Sequence, residues 1–347
     1  MKCFGCYKKV KEGYCLDCRK LLFNGLRVPH ILPFDPPSNE TLAEFQSYSQ
    51  RFSISGVQLK YSLKLKQNEL VLTGSGGQYI IKPIPIAKQF AYLDAIPENE
   101  HLTMQIARQV FKIPVAANSL IHFRDGSPAY LTKRFDVRPN GGKFQQEDFA
   151  QLFGKSSDTH GEHFKYSGSY AEIGKLIQQF VPASVIATER LFKLVVFNYV
   201  LSNGDAHLKN FSLIRNDEGE YQLSPAYDLL CSIIHSPGES DTALQLYELD
   251  HDAPFYSKYG YYGRMDFLEL AQQIDIIPLR AERILQQFII KKDNVIKMIE
   301  QSFLRDEIKA IYLKNFQDKI VRLTSRSMLQ RINQTPNNTN SYQQQNS

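Results

Sequence analysis

The run LFKLVVFNYVLS, residues 191–202, constrains the fold more than any other part of the chain. Its twelve mostly apolar residues have helical spacing and must be buried. They end directly in Asn203-Gly-Asp-Ala-His-Leu-Lys-Asn. A core helix that delivers Asp205, His207, Lys209 and Asn210 at its end places polar side chains in a cleft, not on an open face. FSLI and YQL follow around the polar break RNDEG, the pattern of a β-hairpin turning near Asp217 and Glu218. Folding back there brings Asn210, before the first strand, toward Asp228, after the second. Both offer oxygen ligands suited to a hard cation such as magnesium. Asp205 lies close enough in sequence to hold a substrate hydroxyl. A base, an amide ligand and a carboxylate ligand are the working parts of a phosphoryl-transfer site. Asn-Gly-Asp alone is a common turn signal; the buried run ahead of it favours chemistry over a surface turn.

NGDAHLKNFSLI followed by LSPAYDLL resembles the HipA family of bacterial serine/threonine kinases, the toxin components of toxin–antitoxin systems. SISGVQLKYSL, YIIKPI, ENEHLTMQIA, YLTKRFDV and QQEDFAQLFG also follow the family order. The resemblance is dense over residues 51–228 and looser over the helical remainder. It implies a two-lobed, protein-kinase-like α+β fold with a small β-rich first lobe and a mostly helical second lobe. It also implies ATP and magnesium as cofactors and transfer of the γ-phosphoryl group to a protein serine or threonine. Asp205 would accept the hydroxyl proton, and Asn210 and Asp228 would hold magnesium. Lys82, paired with Glu100, would hold the α/β-phosphates. Proximity in the sequence, not the resemblance, gives Lys209 the role of neutralising the transferring group, and His207 either hydrogen-bonds near Asp205 or completes the core. The ATP loop would be Ser53, Ile54, Ser55, Gly56, Val57 and Gln58, with autophosphorylation at Ser53, Ser55 or both. Residues alone favour a different phosphate loop, the glycine-rich Gly74, Gly76 and Gly77, which a hairpin turn also explains. The expected loop has one glycine, and Asn-Gly-Asp stands where eukaryotic-type kinases carry His-Arg-Asp.

Larger family members carry an amino-terminal subdomain ahead of the ATP loop, most of which is missing here. The chain therefore looks like the short, HipT-like form. That form implies a HipB-like DNA-binding antitoxin and a HipS-like separate subdomain protein as partners, and an aminoacyl-tRNA synthetase as substrate. Contact with DNA would be indirect, through the antitoxin. The formal charge of +5 is mild and fits an enzyme with an anionic cofactor better than a nucleic-acid binder. No run is long enough to span a membrane, and MKCFGCYKK is no signal region, so a cytoplasmic location is expected. Two other functions share much of this pattern: a small-molecule phosphotransferase, and an inactive kinase-fold binding subunit that would have lost Asp205 or Asp228.

Four of the five cysteines form Cys3-x2-Cys6 and Cys15-x2-Cys18 across an eight-residue spacer. Paired CxxC turns can present four thiolates tetrahedrally to zinc. Such a knuckle would have little apolar core, so the metal would supply most of its folding energy. With no long apolar run tying it to the lobes, it should melt alone on zinc removal. Redox or disulfide chemistry is the alternative use of these cysteines.

The expected organisation is a knuckle over residues 1–28, a linker and short helix over 29–50, a first lobe over 51–135, and a helical lobe over 136–330. The Asn/Gln-rich tail, 331–347, lacks apolar periodicity and should be disordered. Lys82 ends an apolar strand before Pro83. Glu100 is expected in the first turn of a helix over residues 99–110. PAYLTKRF resembles the hinge strand, and Asp136 follows it toward the cleft. His160 and His163 lie in a polar loop without a third metal ligand, so exposure or substrate contact is the simpler reading. Cys231 should be core.

Overall fold

The computed structural model describes residues 1–38, 59–85, 90–138 and 140–324. The expected ATP loop (Ser53, Ile54, Ser55, Gly56, Val57, Gln58), the expected helix near residues 41–50 and the carboxyl-terminal tail lie outside the described residues.

Two lobes are present. The first is an antiparallel five-stranded sheet in the order β2-β1-β3-β5-β4. Its strands are β1 (Tyr61–Lys66), β2 (Glu69–Leu72), β3 (Tyr79–Lys82), β4 (Asn118–His122) and β5 (Pro128–Lys133). Alternation sets the faces: Tyr61 and Leu63 are buried while Lys64 and Lys66 are not. A tight turn with Gln67 in the left-handed region joins β1 to β2. The glycine-rich segment of Gly74, Gly76 and Gly77 does not form the hairpin turn that its composition suggests. β2 and β3 pair on opposite sides of β1, so this segment carries the chain across β1. Gly77 passes so close that an added Cβ would sit 2.8 Å from Ser62 Oγ.

A helix, α2 (Ile96–Gln105), packs on this sheet and continues into a π turn, Ile106–Val110. It begins at Ile96 with Pro97 in its first turn, three residues earlier than the sequence suggests. Glu100 therefore lies in the helix body, fully buried, and is no first-turn dipole partner.

The second lobe is helical. It contains α3 (Tyr170–Phe180), α4 (Ser184–Val200), α5 (Arg264–Gln273), α6 (Pro278–Ile290), α7 (Lys292–Gln301) and α8 (Asp306–Thr324). Ser169 and Glu172 form a capping box at the start of α3. The apolar end of α4 is buried continuously from Leu194 to Val200. A small sheet, β6-β7-β8, lies against this lobe, with β6 at Gln146–Asp148 and the expected hairpin as β7 (Ser212–Arg215) and β8 (Tyr221–Leu223). The apolar spacing around β6 suggests a helix; only Phe149–Leu152 make a short helical turn after the strand. Cys231 is core, as expected. No helix among the described residues is long and apolar enough to cross a membrane.

The cysteine segment is not the loosely attached unit expected from its composition. Its helix, α1 (Leu16–Phe23), buries Leu22 and Phe23 in the same core as β1, β3, β4 and β5. Tyr14 Oη donates to Leu120 O at 2.8 Å, and Tyr79 Oη donates to Leu22 O at 2.7 Å. The Leu120 N–H donates to Phe4 O at 3.0 Å. Phe4 stacks on Phe303, from the loop between α7 and α8, with ring centroids 5.2 Å apart. The tie is made by scattered aromatic residues, so no apolar run in the sequence announces it.

Candidate active site

Lys82, the last residue of β3, is the electrostatic centre of the cleft between the lobes. Antiparallel register places it opposite Tyr130 on β5, with its Nζ 5.3 Å from the centre of that ring. The amine is buried and lies 2.5 Å from Glu100 Oε1 on α2. It also pairs with Asp228 Oδ1, while Lys60 reaches Asp228 Oδ2 at 3.1 Å. Two lysines thus share one carboxylate. Burial opposes a charge on Asp228, yet Lys60 and Lys82 hold its carboxyl well below the usual carboxylate range. Burial likewise opposes the Lys82 charge, and Asp228 and Glu100 raise its amine above the ordinary lysine value. Glu100 is pushed by burial up to about 7 in spite of Lys82 beside it.

Asp228 is held in place by its neighbours in the chain. The Ala226 N–H donates to Pro114 O and the Ala116 N–H to Ala226 O, both at 2.9 Å. This bridges the segment before β4 to the segment after β8. Tyr227 Oη donates to Lys209 O at 2.9 Å, which brings the end of the hairpin back to its start. Asp228 itself has φ 55°, a left-handed conformation that Asp tolerates better than most residues. The hairpin closure expected from the sequence is therefore present. Asn210 and Asp228 line one cleft of about 570 Å³, together with Lys60, Lys82, His207 and Lys209. Asn210 Oδ1 accepts from the His207 N–H at 3.1 Å.

Asp205 is not among the residues lining that cleft. It lies beside it, half-exposed, with Oδ1 4.0 Å from His207 Nε2. The Tyr166 hydroxyl donates to the same oxygen at 2.6 Å. The loop that presents Asp205 is braced from behind: the Gly204 N–H donates to Ser232 Oγ at 2.8 Å, and Ser232 donates in turn to Glu239. Gly204 has no room for a side chain, since a Cβ would fall 2.4 Å from Ser240 O. Burial pushes His207 down to about 4, so its imidazole is neutral near pH 7. Lys165 is buried on the cleft wall, and burial holds its amine below the ordinary lysine value.

Lys60, Lys165, Tyr166 and Glu239 carry no signal in the sequence that marks them for this site. Lys60 lies just ahead of its strand, and Tyr166 sits in a loop that reads only as polar. Asp136 lines the cleft and pairs with Arg134. His160 and His163 are exposed, and neither belongs to a metal-like cluster among the described residues.

The cysteine cluster is the one group of metal-ligand type among the described residues. All four sulfurs lie within 4.8 Å of one another, and Cys6 Sγ and Cys15 Sγ are 3.6 Å apart. A tetrahedral zinc–thiolate site requires sulfur separations of about 3.8 Å. The N–H groups of Gly5 and Cys15 point at Cys3 Sγ, at 3.4 and 3.2 Å. A Cβ on Gly5 would lie 2.7 Å from Cys18 Sγ, so only glycine closes this turn. The thiols are all free, and the donor set fits a zinc-binding knuckle.

The sequence profile of the HipA-like C-terminal domain matches residues 52–296. The chain is 35% identical over 225 residues to the provisionally named kinase Y4dM of Sinorhizobium fredii. That match covers 60% of this chain and 52% of the relative, so the chain spans about half of that relative's length. It is 26% identical over 331 residues to a provisionally named kinase of Haemophilus influenzae, covering 90% of this chain and 93% of the relative. Among solved structures, it is similar to the Shewanella oneidensis toxin–antitoxin complex of HipA, HipB and operator DNA. There the TM-score is 0.60 at 18% identity, over 84% of this chain and 73% of the matched chain, which is a likeness of fold.

Proposed function

Because the chain belongs to the HipA-like C-terminal domain family, we propose that it is an ATP- and magnesium-dependent protein serine/threonine kinase acting as the toxin of a toxin–antitoxin system. The observation that carries this reading is the buried Lys82, held between Glu100 and Asp228 in a cleft that Asn210 and Lys209 also line. Lys82 holds the donor's phosphates, and Glu100 fixes Lys82. Asn210 and Asp228 hold magnesium, which supplies neutralisation of the phosphate charge. Lys60 and Lys82 compensate the Asp228 charge. Asp205 orients the acceptor hydroxyl and takes its proton. The Tyr166 hydroxyl now fills the hydrogen bond on Asp205 Oδ1 that this acceptor would make. Lys209 and Lys165 offset charge on the transferring group. The neutral His207 shapes the site without adding a cation.

The domain boundaries expected from the sequence, the short HipT-like form and autophosphorylation at Ser53, Ser55 or both belong to this proposal. So do an aminoacyl-tRNA synthetase as substrate, a HipB-like antitoxin and a HipS-like protein as partners, and a cytoplasmic location. The test is to incubate the chain with ATP labelled at the γ-phosphate, magnesium, cell extract and purified aminoacyl-tRNA synthetases. Label in a synthetase band supports the proposal. Label confined to a small metabolite would replace it with a small-molecule phosphotransferase, and no label anywhere would leave a binding subunit.

The Lys82–Glu100 pair should make nucleotide affinity depend on pH. The folded value of Glu100 lies above its ordinary 4.5, at about 7. Its contribution to stability is therefore full below about pH 4.5 and is lost as pH rises through about 7. The ionised form that pairs with Lys82 grows as pH passes through about 7. ATP affinity measured by calorimetry should rise across pH 7, and Glu100→Gln should lose that rise. The same rise in Glu100→Gln would assign it to another group.

A further inference from the structure

Besides its contacts with β4 and Phe303, the first cysteine loop touches the helix that carries Glu100. His101, the next residue, is fully buried, and its Nδ1 lies 3.0 Å from Tyr7 Oη. One turn beyond α2, Arg108 Nη2 donates to Gly5 O at 3.3 Å and Gln109 Nε2 to Cys6 O at 3.4 Å. Both side chains also donate to Gln105 Oε1, at 2.8 and 2.9 Å, and Gln105 Nε2 donates to Asn118 Oδ1 on β4 at 2.8 Å. The wider π turn carries Arg108 and Gln109 on the side facing the knuckle. Phe303 closes the group from the helical lobe, with its ring centre 5.4 Å from that of Tyr7.

Both backbone acceptors offered to the helix here, the carbonyls of Gly5 and Cys6, belong to the turn that runs from Cys3 to Cys6. The shape of that turn is set by where the sulfurs of Cys3 and Cys6 are held. A metal shared with Cys15 and Cys18 would fix the sulfurs of the turn; without it, the turn keeps its backbone bonds, among them Tyr7 N–H to Cys3 O at 3.0 Å, and the packing of Phe4 and Tyr14, but not the positions of its sulfurs.

We propose that the four-cysteine cluster, loaded with metal, is a brace for α2, with Tyr7 and His101 as positioning residues that keep Glu100 against Lys82. The state of the cysteines then sets affinity for the phosphate donor from outside the cleft. This inference rests on the phosphoryl-transfer reading. A zinc-free or thiol-modified chain would retain its sheet and helical lobe but hold Lys82 less well.

The experiment is a double-mutant cycle on the full chain, read by ATP calorimetry with magnesium and by zinc content. Tyr7→Phe should keep close to one equivalent of zinc and weaken ATP binding by about 3- to 10-fold, the effect of one buried hydrogen bond. Removing zinc with a chelator, then restoring magnesium, should weaken it at least as much, raise amide exchange over residues 96–110, and be reversed by zinc. In a Glu100→Gln background, already weakened, neither change should have a further effect. Unchanged ATP affinity in both the Tyr7→Phe and zinc-stripped proteins would overturn the proposal. So would the same fold-loss with and without Glu100, which would mean that the knuckle acts by stability alone. A zinc-loaded wild-type chain that binds no ATP would instead contradict the underlying kinase reading.

Discussion

Asp205→Asn should bind ATP as the wild type does and lose phosphoryl transfer by about 10²- to 10⁴-fold, the usual worth of a positioned general base. The substitution is isosteric. Its remaining Oδ1 still accepts from Tyr166, so the loop keeps its shape. Asp205 is half-exposed and outside the lining of the main cleft, so nucleotide affinity does not depend on its charge to first order. Turnover and affinity measured on the same preparation separate the two effects. Turnover near wild type would remove Asp205 from the role of base. Lost ATP binding would place it among the nucleotide ligands instead.

Asp228→Ala should abolish magnesium-dependent ATP binding and also destabilise the apo protein. The carboxylate is the shared counter-ion of Lys60 and Lys82. Lys82 is almost wholly buried, and removing one partner of a buried pair costs about 3–5 kcal/mol. Here the loss should fall at or below the lower end. Asp228 is partly exposed, Lys60 can turn to solvent, and Glu100 remains beside Lys82. Asp228→Asn keeps an oxygen toward the cation but not the charge, so it should bind magnesium–ATP weakly and lose a similar amount of stability. Chemical denaturation and calorimetry of the three proteins test this. Magnesium-dependent binding retained in Asp228→Ala would mean that the cation is held elsewhere.

The helical core and the hairpin are legible in the sequence because each has a strong local signal. The apolar end of α4 has one period, and RNDEG is an unambiguous break between two short strands. From those two elements the approach of Asn210 to Asp228 follows. Lys82 is legible as an odd charge in an apolar strand. Its pairing with Glu100 depends on how α2 packs on the sheet, which no local pattern encodes. The start of α2 is misplaced from sequence because Pro97 can open a helix as readily as it can end a loop. Lys60 is missed because its significance comes only from where Asp228 lies after the chain has crossed both lobes. The knuckle's attachment is missed for the same reason. Phe4, Tyr7 and Tyr14 are spaced without period, and their partners, Phe303, His101 and Leu120, are far away in sequence. Local chemistry identifies the four sulfurs; only tertiary packing places them behind the helix that carries Glu100.

The most direct measurement is phosphoamino-acid analysis of protein labelled from γ-phosphate-labelled ATP by the wild-type chain and by Asp205→Asn, with and without magnesium. The account predicts phosphoserine or phosphothreonine from the wild type with magnesium, and close to none from the other three reactions. Equal labelling by Asp205→Asn, or labelling that ignores magnesium, would contradict it.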